Sequence, residues 1–109
     1  ILGEPRAKAL ALTGEPLDAE TAAQWGLIWK AVDDAQLMSE AVALAERLAA
    51  GPTLGLGLTK KAIQESATNS FDAQLDLERD LQRRLGASAD YAEGVSAFLE
   101  KRKPNYKGA

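Results

Sequence analysis

Asp90-Tyr91-Ala92-Glu93-Gly94-Val95-Ser96-Ala97-Phe98-Leu99-Glu100-Lys101-Arg102-Lys103-Pro104 is the stretch on which the reading of this chain turns. Within it Tyr91, Val95, Phe98 and Leu99 recur at helical spacing and form one apolar face. Ser88 or Asp90 supplies the N-cap, because a side-chain oxygen there accepts an otherwise orphaned backbone N–H. Pro104 stops the helix, since it cannot donate to the ladder, and Asn105 to Ala109 follow as a tail. Lys101, Arg102, Lys103 and Lys107 gather at the same end. Cations there complement the negative pole of the helix, and on spacing alone that reading leads. The competing reading is a surface for a phosphorylated ligand, with Phe98 one turn before Lys101 as an apolar platform.

Working upstream, Gly, Pro and Asp divide the chain into further helical blocks. Ser70 caps a charged helix in which Leu77, Leu81 and Leu85 repeat every turn. Gly51-Pro52 separates a helix lined by Leu54, Leu58 and Ala62 from one lined by Leu37, Ala41, Leu44, Ala45 and Leu48, which Asp33 or Asp34 opens. Gly55 and Gly57 cost their helix up to about 1 kcal/mol each against Ala, which points to close backbone packing or a fraying first turn. Asp18 caps a short helix that Gly26 ends, and Pro5 begins a helix that Gly14 and Pro16 close. Ile28-Trp29-Lys30-Ala31-Val32 is the one β-like segment, too short to stand without a partner strand. The chain reads as mainly α, with one short extended segment near 28–32.

Composition narrows the chemistry. At 109 residues, 46% hydrophobic and 27% charged, the chain fits a single globular domain with one ordinary core. Thirteen basic against sixteen acidic residues give a net charge of −3, which disfavours a nucleic-acid partner. Without cysteine or histidine there is no thiolate nucleophile, no imidazole base and no Cys or His metal site, so no metal is expected. No apolar run is long enough for a membrane span and no leader-like pattern opens the chain, so a cytoplasmic location and no membrane partner are expected. The first residue is Ile1 and the only methionine is Met38, which fits a fragment, a processed product or a longer protein seen in part.

Two motifs fail on inspection. Gly51 to Lys61 looks like a phosphate loop, but Thr59 stands where a glycine must precede the lysine, and no strand leads into it. A helix start packed closely on a neighbour is the better reading. Glu78, Arg79, Asp80, Arg83 and Arg84 look like a solvated face, with Asp80–Arg84 attractive and Arg79–Arg83 repulsive at one-turn spacing, and not like a catalytic dyad. Trp25 and Trp29 flank the Gly26 turn and are expected in a core or an interface.

These stretches together resemble the C-terminal part of the enoyl-CoA hydratase/isomerase (crotonase) superfamily. Arg6 to Gly14 with Ala22 to Ile28, Pro52 to Ile63, and above all Asp90 to Pro104 carry the resemblance along essentially the whole chain. Trp25 to Lys30 and Ala67 to Glu78 are similar to the phenylacetate-degradation isomerase branch; the alternatives are an enoyl-CoA hydratase of fatty-acid oxidation or a stand-alone helical interaction module. The resemblance implies a crotonase fold whose residues 1–50 border the catalytic core and whose residues 51–109 form a helical tail for assembly and for closure over CoA. It implies an acyl-CoA substrate, no cofactor, and a homo-oligomer, either a trimer or a dimer of trimers. In the family the oxyanion hole and the acid/base carboxylates lie upstream of the matched region. No residue here is therefore named as catalytic, and these 109 residues alone are expected to be inactive. Phe98 and Lys101 match positions that touch the adenine and phosphate end of CoA, often from a neighbouring subunit.

Overall fold

The computed structural model describes residues 1–109 as six helices and no strand. They are α1 (Glu4–Thr13), α2 (Ala19–Gln24), α3 (Asp34–Ala49), α4 (Thr53–Glu65), α5 (Phe71–Gly86) and α6 (Ala89–Leu99). Local capping explains most boundaries. Asp18 accepts the Thr21 N–H at 2.7 Å, and Ser70 and Ser88 accept those of Ala73 and Tyr91 at 3.3 and 3.1 Å. Hydrogen bonds from Thr21 hold the Asp18 carboxyl below its ordinary pKa. Gly14 and Gly26 take the left-handed conformation that ends α1 and the turn after α2. The β-like residues after Gly26 form no ladder: 27–29 are bends, and no second strand exists to pair with them.

The chain divides into two compact units, Ile1–Glu40 and Ala41–Ala109. In the first, Ala22 is buried and the Arg6 guanidinium lies 4.9 Å from the centroid of the half-buried Trp25 ring, a cation–π contact. Lys30 pairs with Glu40, and Lys8 with Glu4 one turn away. Trp29 does not reach a core; it is 77% exposed.

In the second unit α5 packs on α4 and on α6. Leu54, Leu58 and Ala62 of α4 and Leu77, Leu81 and Leu85 of α5 are half-buried, so both expected stripes lie on packed faces. Half-buried Gln74 of α5 donates to the Ala62 carbonyl at 3.2 Å and accepts from Asn69 at 3.0 Å, tying the end of α4 to the start of α5. The α3 stripe is different: among its five residues only Leu44 is half-buried and the rest are exposed.

An ordinary core does not form. Ala22, Ala97 and Asp90 are the only buried residues, and the accessible area is 8608 Å², against roughly 5,800 Å² for a compact monomer of this mass. The helices spend their length on apolar faces that these 109 residues do not cover. The glycines of α4 also depart from expectation. A Cβ at Gly55 would meet only ordinary contacts at 3.9 Å and one at Gly57 would meet nothing, so neither marks a close approach. The Asp80–Arg84 pair is replaced as well: Arg79 bridges Asp76 and Asp80 at 2.6 and 3.1 Å, which raises its pKa, and Arg83 lies 3.8 Å from Asp80.

The close approaches lie at the C-terminus. Residues 105–109 fold back on α6 as a strap. Lys107 and Gly108 donate their backbone N–H groups to the Asp90 carboxylate at 2.7 and 2.9 Å, and the Asp90 N–H donates to the Ala109 carbonyl at 2.9 Å. Tyr106 presses on Gly94, where an added Cβ would sit 3.3 Å from its hydroxyl. Gly108 has φ 77, and a Cβ there would lie 2.4 Å from Thr53 Oγ1, so a side chain at this position is strained and displaces Thr53.

Asp90→Ala is expected to free the strap at a cost of about 1–3 kcal/mol, because it removes both acceptors of the Lys107 and Gly108 amides. Hydrogen exchange checks this: those two amides should lose protection in Asp90→Ala, and keep part of it in Asp90→Asn, which retains one carbonyl oxygen.

Candidate functional site

The α6 helix ends at Leu99, before the proline expected to stop it. Lys101 N–H reaches the Phe98 carbonyl at 3.3 Å, and Arg102 N–H reaches the Ala97 carbonyl at 3.0 Å. These are the paired bonds of a Schellman cap, whose turning residue is usually glycine. Here it is Lys101, with φ 55, the only non-glycine residue of positive φ in the chain. Left-handed backbone costs a lysine about 1 kcal/mol, so neighbouring contacts must hold it.

Arg102 supplies those contacts. Its guanidinium donates to both Glu93 carboxylate oxygens, at 2.6 and 3.0 Å, and through Nε to Glu100 at 2.6 Å. The Asn105 N–H donates to Glu93 Oε1 at 2.7 Å. Glu93 thus grips the chain on both sides of Lys103-Pro104 and fixes the turn after α6. The Arg102 hydrogen bonds, then that of Asn105, lower the Glu93 carboxyl from 4.5 to about 2. The Arg102 guanidinium is pushed above its ordinary value by Glu93 and then Glu100.

Among the four C-terminal cations, Arg102 is therefore committed to structure, and the Lys107 amide serves the strap. Lys101 and Lys103 make no ion pair and are exposed at the end of α6. Phe98 is 83% exposed and lies in the wall of an apolar cavity of about 440 Å³. Leu54 of α4, Leu85 of α5, Tyr91 and Val95 of α6 and Tyr106 of the strap form the rest of its main lining. Lys101 lies outside that wall, beyond the helix end that Phe98 precedes. Sequence reading singled out Phe98 and Lys101, offered Asp90 only as an N-cap, a role that Ser88 fills, and missed Glu93 and Tyr106.

Because Glu93 has a lower pKa folded than unfolded, its stabilising effect is complete above about pH 4.5 and is lost as the pH falls toward 2. A carbon-13 titration of the Glu93 carboxyl should give a midpoint near 2, and Arg102→Ala should move it back toward 4.5.

Comparison with known proteins places these features. The sequence pattern of the family described as "Enoyl-CoA hydratase/isomerase" matches residues 1–109. The chain is 56% identical over 108 residues to the 1,2-epoxyphenylacetyl-CoA isomerase of Escherichia coli K12, covering 99% of this chain and 41% of that protein. It is 36% identical over 107 residues to the 2,3-dehydroadipyl-CoA hydratase of the same organism, covering 98% of this chain and 42% of the hydratase. The crystal structure of an enoyl-CoA hydratase from Bacillus anthracis superimposes with a TM-score of 0.90 at 32% identity, over 99% of this chain and 42% of that one. The chain thus spans about two-fifths of the length of the relatives it matches. With the pattern matched from end to end and the helices superimposing on a solved relative, the chain belongs to the enoyl-CoA hydratase/isomerase family.

Proposed function

We propose that these residues are the C-terminal helical portion of an acyl-CoA isomerase, and that the whole enzyme interconverts ring-1,2-epoxyphenylacetyl-CoA and its oxepin form. The observation that carries this reading is the 56% identity to the E. coli isomerase, where hydratase relatives reach 47%. Hydration of an enoyl-CoA is the second reading, and the hydratase relative favours it.

Chemistry in this family relies on two backbone N–H groups that stabilise the thioester oxygen as charge builds on it, and on carboxylates that move protons. The residues of this chain have another task. Phe98 offers an exposed ring face to the adenine of CoA, and the unpaired Lys101 ammonium offers a cation to its phosphates. Acyl-CoA enters as substrate, and the reaction calls for no cofactor. Residues 1–50 border the catalytic core, and 51–109 serve assembly and closure over CoA. Exposed Leu12, Trp29 and Met38 support burial against further protein, as in a trimer or dimer of trimers. Nothing in the reading requires a membrane or nucleic acid, and no helix is long and apolar enough to cross a membrane. The proposed location is cytoplasmic.

The test uses the full-length enzyme that carries this segment. It should isomerise the epoxide faster than it hydrates an enoyl-CoA, with product identity read by mass spectrometry; the reverse preference would make it a hydratase. An exposed ammonium–phosphate contact contributes about 1 kcal/mol, so Lys101→Ala should raise KM for the CoA thioester about fivefold and leave kcat nearly unchanged. Residues 1–109 alone should show no turnover.

A further inference from the structure

Lys101 is the one residue of this chain that combines an unpaired cation with a backbone conformation its side chain disfavours. Helix-end electrostatics do not explain this, because a lysine in ordinary right-handed backbone would complement the helix pole equally well. Something outside Lys101 holds it in place. The residue immediately after it is locked at three points: Arg102 N–H to Ala97, and its guanidinium to Glu93 and to Glu100. Glu93 also holds Asn105, so the segment after Lys101 is pinned at both ends to one carboxylate, whose side chain is only 24% exposed.

We propose that Glu93 is a positioning residue for CoA: acting through Arg102, it fixes the left-handed turn at Lys101 and thereby the place from which the Lys101 ammonium meets a CoA phosphate. The proposal rests on the reading of Lys101 as a CoA contact. The pair Glu93–Arg102 touches no substrate. Its effect is to spare the enzyme the ordering of a mobile turn each time CoA binds. A lysine on a loose turn would still attract phosphate, but with part of the contact energy lost to ordering.

The experiment uses the full-length enzyme and two substrates with the same acyl group, the CoA thioester and the pantetheine thioester, which lacks the nucleotide and its phosphates. Glu93→Ala should raise KM for the CoA thioester about threefold and leave KM for the pantetheine thioester as it is. Lys101→Ala should raise KM about fivefold with the same selectivity for the CoA thioester, and the double variant should be no worse than Lys101→Ala, because Glu93 acts through Lys101. Glu93→Gln, which keeps an acceptor for Asn105 but loses the charge opposite Arg102, gives the same readout should the alanine variant fold poorly. If Lys101→Ala changes neither KM, the CoA reading of Lys101 fails and takes this proposal with it. If Lys101→Ala raises the CoA value and neither Glu93 variant does, Lys101 stands as a contact and the positioning role is overturned. Equal rises for both thioesters in the Glu93 variants would show a merely structural role and overturn it too.

Discussion

The C-terminal third of this chain depends on what two carboxylates of α6 accept. Asp90 takes two backbone N–H groups from the strap, and Glu93 takes a third together with the Arg102 guanidinium. A strap of irregular backbone cannot satisfy its own donors, and an unpaired donor near a packed surface costs about as much as a lost hydrogen bond. Asp90 is itself nearly buried, which an unpaired carboxylate could not be. The two problems solve one another. Once the strap is held, Tyr106 lies against Gly94 and closes one side of the apolar cavity, and Gly108 fits beside Thr53 at the start of α4.

That arrangement stands in for a hydrophobic core that the second unit barely has. Its helices carry good apolar stripes, yet only Ala97 among its apolar residues is buried. The α4 and α5 stripes meet each other, while the Leu37, Ala41 and Leu48 positions of α3 remain exposed. Periodicity decides which face of a helix is apolar, and it does not decide what covers that face. On the reading proposed above, the exposed stripes of a chain that spans about two-fifths of its relatives would be surfaces for further protein.

The same distinction separates what was legible in the sequence from what was not. Helix existence and N-caps were legible, because capping is local: Asp18, Ser70 and Ser88 each bond an N–H three residues away. Gly14 and Gly26 were legible because a left-handed stop admits few other residues. The strap was not, since its bonds join residues 12 to 18 positions apart and obey no period. Pro104 misled for a related reason. It forbids a helix but does not require one to reach it, and the Schellman turn at Lys101 intervenes. For the site, spacing offered Phe98 and Lys101 only as the competing reading and resemblance made them the choice, and the sequence could not separate Arg102 from its basic neighbours. Which cation is tied up in structure is a property of Glu93, nine residues earlier.

On the proposed reading, Lys101 is where the demands of the fold and of the function meet. A glycine there would relax the turn and weaken the need for Glu93, as it does at most helix ends of this type. It would also remove the ammonium. A lysine one position earlier would sit on relaxed right-handed backbone at the C-cap, before the turn that redirects the chain. The left-handed turn both ends α6 and carries a cation past its last carbonyls. Its strain is local and small, and the Glu93–Arg102 pair offsets it with bonds that also anchor the strap. The element that stabilises the tail and the element that presents the cation are the same turn.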